Sequence, residues 1–162
     1  MSAEQARRLS AYNEWANERI LAAVDGMGDA ELRQPVDAYV GSIDNNLRHA
    51  LGAQIVWLRR WKGELAVVDP EIDGLREGYA ASHADLRAFA GALTDAECAR
   101  IFEYRDSRGE PHALPLGLLV THLVNHGVHH RAETGLLLER VGRSPGDMDY
   151  LYFEYEQSGQ WR

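Results

Sequence analysis

Apolar residues in this chain recur at spacings of three and four along four long segments, each cut off by glycine or proline. No other feature constrains the fold as much, because residues three or four apart share one face of an α-helix and must bury it. The first segment runs from about Ala3 to Val24, with Leu9, Tyr12, Trp15, Ala16, Ile20 and Val24 in step, and stops at Gly26 and Gly28. The stretch to Gly41 contains Pro35 and reads as a connection across the bundle end. The second segment starts near Ser42, a good N-cap residue, and ends at Gly63. The third follows Pro70 and spans about Glu71 to Ala92. Its Leu75, Tyr79, Ser82, Leu86, Phe89 and Leu93 alternate by four and three, the spacing of a bundle seam. The fourth opens at Pro115, which suits a first helical turn, and runs to about Val141 before Gly142. Between the third and fourth, Ile101 to Tyr104 and His112 to Leu114 flank a turn and read as a short hairpin or an extended loop. Asp147 is placed to cap a short final helix bearing Met148, Leu151, Tyr152 and Tyr155. Long helices with little strand predict an all-α four-helix bundle with a short C-terminal helix.

At 162 residues, with 45% hydrophobic and 26% charged, the chain is expected to form one globular domain over residues 1–162. Its formal charge of −8 repels phosphate backbones, and the densest basic run is only Arg59, Arg60 and Lys62, so nucleic acid is not an expected partner. The apolar runs are too short to span a bilayer, and the start, MSAEQARRLS, lacks an apolar leader, so no membrane association and a cytoplasmic location are expected. A lone cysteine, Cys98, excludes an intrachain disulfide and a cysteine-based zinc site. The second helix carries two apolar stripes, one of Leu47, Leu51, Ile55 and Leu58, the other of His49, Ala53, Val56 and Trp57. A helix apolar on two sides needs two partners, and a neighbouring subunit is a candidate for the second.

Histidine carries the chemistry. His122, His126 and His130 are spaced by four on the last long helix, so they share a face, with His129 about 100° round from His130. Two imidazoles one turn apart can hold one metal ion, and neutral imidazole suits zinc, nickel and similar cations. His122 with His126 serves as well geometrically as His126 with His130. One helix rarely completes a site, and His49, midway along the second helix among Gly52, Ala53 and Val56, is the candidate third ligand. Asn125 and Glu133 are candidates to hydrogen-bond a ligand's other ring nitrogen, or else solvated helix residues. Arg131 reads as an anion-attracting or salt-bridged side chain. Trp57 and Trp61 wall a pocket near His49 or simply pack, and Tyr12 and Trp15 read as core. His83 and His112 have no partner at ligand spacing and read as surface residues.

The string LVTHLVNHGVHHRAETGLLLERVGRSPGDMDYLYF resembles the signature of the DinB/YfiT-like family of metal-binding four-helix bundles. The second-helix string GSIDNNLRHALGAQIVWLRRWKG and the opening AYNEWANERILAAV resemble the corresponding family segments, in the same order and over nearly the whole chain. Family members often follow the His-His-Arg run with Gly-Gln, where this chain has Ala132-Glu133. The resemblance implies that His49, His126 and His130 are the metal ligands, leaving His122 and His129 around them. It also implies a homodimer and a metal-dependent transferase or hydrolase, the favoured chemistry being transfer of a low-molecular-weight thiol, of bacillithiol or mycothiol type, to an electrophilic small-molecule substrate. Three protein ligands leave a coordination position open, where a water is acidified towards a pKa of about 7 and a thiol is held as its nucleophilic thiolate. The alternative expectation is a non-catalytic metal-binding stress- or damage-response protein. A third is a dimerisation module without metal.

Overall fold

The computed structural model describes residues 1–66 and 70–160. The first helix, α1 (Ala3–Val24), starts from a capping box: Ser2 Oγ accepts from the Gln5 amide at 3.1 Å while Gln5 Oε1 accepts from the Ser2 amide at 2.9 Å. A short α2 (Asp29–Arg33) lies in the connection. The second long helix, α3 (Ile43–Lys62), is capped by Ser42 Oγ, which accepts from the Asn45 amide at 3.2 Å. It ends on Gly63 at φ 73°, a left-handed conformation that glycine adopts without strain. Next come α4 (Leu75–Ala92) and a one-turn α5 (Asp95–Ala99) with its own capping box, Thr94 and Glu97. Strands β1 (Ile101–Arg105) and β2 (Pro111–Pro115) pair antiparallel, Ile101 opposite Pro115. Of the two expected forms, this segment is therefore a hairpin. Asp106 Oδ1 closes its turn by accepting from the amides of Arg108 and Glu110 at 2.8 and 3.0 Å. The last long helix is α6 (Leu116–Arg140), followed by α7 (Tyr150–Gln157).

Two boundaries differ from expectation. The third long helix begins at Leu75, after the N-cap Gly74, not near Glu71; the stretch before it is not helical, and its Ile72 carbonyl accepts from the Arg48 guanidinium instead of from a helical amide. The final helix is capped by Asp149 rather than Asp147, its Oδ1 accepting from the Leu151 amide at 3.1 Å. Met148 thus lies before the helix, where its carbonyl accepts from Tyr12 Oη at 2.9 Å.

The four long helices pack in a ring, α1 on α6, α6 on α3, α3 on α4 and α4 on α1. One apolar cluster gathers Ala3 and Ala6 from the start of α1, Leu116 to Leu123 from the start of α6, and Leu58, Trp61, Leu86 and Leu93 from the ends of α3 and α4. The other gathers Ile20 and Val24, Leu137 and Leu138, and Ile43, Leu47 and Tyr79 from the opposite ends. Hence α1 and α6 point one way and α3 and α4 the other. Fully burying each large apolar side chain contributes about 1.5–3 kcal/mol, so both ends of the bundle are held by apolar packing.

Between the clusters runs a polar layer. Asn13 Nδ2 donates to Gln54 Oε1 at 2.8 Å, and Gln54 Nε2 donates to Ser82 Oγ at 2.8 Å. His83 belongs to this layer and is 2% exposed, which corrects its reading as a surface residue. Its Nε2 lies 3.0 Å from Asn17 Nδ2 and its Nδ1 3.4 Å from Glu18 Oε1, so a neutral ring protonated on Nδ1 satisfies both. Burial holds its pKa below the usual histidine value. Arg131 is also buried, away from any substrate, and makes no salt bridge among the described residues. Its Nη1 donates to Asn13 Oδ1 and Asn17 Oδ1 at 2.7 and 2.8 Å, and its guanidinium lies 5.4 Å from the Tyr12 ring centroid. Tyr12 is core, as expected. His112 is surface, as expected, and its Nε2 lies 3.2 Å from Asp106 Oδ2.

Candidate metal centre

The antiparallel pairing of α3 and α6 brings the middle of one helix against the middle of the other. His49 on α3 therefore meets the His126 and His130 rings on α6, with centroid separations of 5.4 and 4.6 Å. Nε2 of His126 lies 3.2 Å from Nε2 of His130. Each of the three offers a ring nitrogen within 4.8 Å of the others, and no fourth histidine, cysteine or carboxylate joins this group among the described residues. His122 stands aside, one turn earlier, with its ring 6.0 Å from His126 and 5.6 Å from Trp57. Of the two pairs that spacing left equal, it is His126 and His130 that lie together with His49.

The surroundings of His130 fix its tautomer. Its Nδ1 lies 2.8 Å from both Asn46 Oδ1 and Glu133 Oε2. Both atoms are acceptors, so the ring proton sits on Nδ1 and Nε2 presents a lone pair towards His126 and His49. Of the two candidates for a partner to a ring nitrogen, Glu133 contacts His130, while Asn125 is exposed. Asn46 was missed; its only signal was its place one turn before His49. Glu133 also lies 3.3 Å from exposed His129, so His129, His130 and Glu133 form a second group with converging ligand atoms.

Charge favours neutral rings. Burial first, then the neighbouring imidazoles His130, His49, His122 and His129, push the His126 pKa down to about 4. Burial likewise lowers that of His130, opposed by Glu133. Neutral imidazoles are the form that binds cations. Two nitrogens bound to one tetrahedral ion at about 2.0–2.1 Å stand about 3.3 Å apart, so the 3.2 Å between His126 and His130 fits a shared zinc-like cation.

Trp61 is buried and stacks on Phe89, so it packs rather than lining the site, while Trp57 is half-buried beside His122. Cys98 is buried, and burial raises its thiol pKa.

A ring of four long helices with imidazoles converging from two of them defines a helical bundle with a cation-competent histidine cluster. The DinB family model matches residues 1–162, and the chain belongs to that family. Its fold is similar to that of a DinB-like protein from Bacillus cereus ATCC 10987, with a TM-score of 0.60 and 20% identity over 82% of this chain and 90% of that one. A DinB family member from Shewanella denitrificans is also similar, with a TM-score of 0.55 and 18% identity over 93% and 89% of the two chains. No curated protein matches the chain in sequence. No helix among the described residues is long and apolar enough to cross a membrane.

Proposed function

We propose that this chain is a metal-dependent transferase that joins a low-molecular-weight thiol to an electrophilic small molecule, with His49, His126 and His130 holding one divalent cation, zinc or nickel. The observation that carries this reading is the convergence of three imidazole nitrogens within 4.8 Å with no fourth protein ligand among the described residues. A cation held that way keeps an open face and supplies the Lewis acidity that favours the thiolate of a bound thiol. The chain's own groups prepare the site. Burial keeps His126 unprotonated at neutral pH. Asn46 and Glu133 hold the proton of His130 at Nδ1. Exposed His122, one turn from His126, accepts the proton that the thiol releases. The sulfur lone pair then forms a bond to the electrophilic carbon, and the displaced group leaves with its electron pair.

The test is conjugation of small thiols to a chromogenic aryl halide. Turnover is expected with metal-loaded wild type and not with H126A or after chelation. Turnover that survives chelation overturns the mechanism. Metal uptake without turnover of any thiol returns the chain to the non-catalytic metal-binding reading.

A further inference from the structure

From the three imidazoles a row of rings leads away between α3 and the start of α6. His122 meets Trp57 edge-on at 5.6 Å, Trp57 meets Tyr104 of the hairpin at 5.0 Å, and Tyr104 stacks on His112 at 5.4 Å. Arg60 closes the row, its guanidinium carbon 5.0 Å from the Trp57 centroid and 6.0 Å from that of Tyr104. Arg48 and Lys62 on the same helix are paired, with Asp44 and Asp85, while Arg59, like Arg60, has no ion pair among the described residues and no aromatic ring under its guanidinium there. Arg60 has no ion-pair partner among the described residues. A half-buried guanidinium held over an indole face, with its donors unspent, is a preformed receptor for a planar anion.

Arg60 also lies in line with the site. It follows His49 by eleven residues, three turns along the same face of α3. Its guanidinium rests over Trp57, eight residues past His49 and about 12 Å along the axis. An extended chain of three residues covers about 10 Å and its terminal groups the remainder.

We propose that Arg60, backed by Trp57 and Tyr104, binds a carboxylate at the end of the thiol remote from its sulfur. The substrate class is then an acidic thiol of about tripeptide length, and a thiol ending in an uncharged sugar gives Arg60 nothing to bind. This rests on the thiol-transfer reading above and sharpens it.

Glutathione and its diethyl ester are the probes, titrated into the cobalt-substituted protein while the sulfur-to-cobalt absorption band is followed. In wild type, both thiols are expected to raise the band, with glutathione half-saturating at about ten-fold lower concentration than the diester. In R60Q, with cobalt content unchanged, the two are expected to agree to within about two-fold. R60K, which keeps the charge and loses the fork, is expected to fall between them. A band without discrimination in wild type, or full discrimination retained in R60Q, overturns the role of Arg60 alone. A cobalt-loaded wild type that gives no band with either thiol overturns the thiol reading and this inference with it.

Discussion

Replacing Glu133 with glutamine isolates what the carboxylate does for His130. The His130 ring proton is shared between Asn46 Oδ1 and Glu133 Oε2, both at 2.8 Å, and the side chains of His130 and Glu133 are only 13% and 24% exposed. A hydrogen bond to a charged acceptor contributes about 1.5–3 kcal/mol and a neutral one about 1, so E133Q loses about 1–1.5 kcal/mol of support for the Nε2 lone pair. That corresponds to about ten-fold weaker metal binding. Asn46 still holds the tautomer in this variant. With both acceptors gone, in N46A/E133A, nothing prefers the proton on Nδ1, and the loss is expected to reach about 100-fold, the upper range for groups that orient a ligand. Zinc affinity is measured by competition with a chromogenic chelator, alongside the urea midpoint of the metal-free proteins. E133Q binding zinc within about two-fold of wild type, or a double variant no weaker than E133Q, refutes the reasoning.

On helix propensity alone G127A gains about 1 kcal/mol. Here the added Cβ would lie 2.6 Å from Asn13 Oδ1 and 2.8 Å from Arg131 Nη1, so G127A is expected to lower the urea midpoint, and a raised midpoint contradicts the packed position of Arg131. His83 has a folded pKa below its unfolded value of about 6.5, so the unfolded state binds more protons and stability falls as pH drops below about 6.5. H83Q lacks this titration, so the gap in urea midpoint between wild type and H83Q should shift against wild type from pH 8 to pH 5; a constant gap contradicts the assignment. Leu118 and Leu136, 50% and 51% exposed, lie eighteen residues apart on one outer face of α6. The homodimer expected from the second apolar stripe of α3 and the family resemblance is tested by light scattering at micromolar concentration, which should give twice the chain mass; a monomeric mass refutes it.

The long helices were legible because each announces itself through periodicity and punctuation: Ser42 and Gly63 bracket α3 to the residue. The one-turn helices α2 and α5 were not, since five residues carry no period. The start of α4 was placed too early because Pro70 marks only where a helix can begin, and the stretch after it instead makes a tertiary contact, Arg48 to the Ile72 carbonyl, that periodicity does not reveal. At the site, spacing showed that His122, His126 and His130 share a face, but only the rotation and stagger of α3 against α6 put the latter two beside His49. His83 and Arg131 were misread for one reason. A polar residue looks like surface until its partners are known, and Asn13, Asn17 and Glu18 lie on a different helix from either.

The most direct measurement is elemental analysis of the purified protein after exhaustive dialysis, for wild type and for H49A, H126A and H122A. Wild type and H122A are expected to retain about one zinc or nickel per chain, while H49A and H126A lose it. Equal and negligible metal in all four, or full retention in H49A, contradicts a centre shared between the two helices.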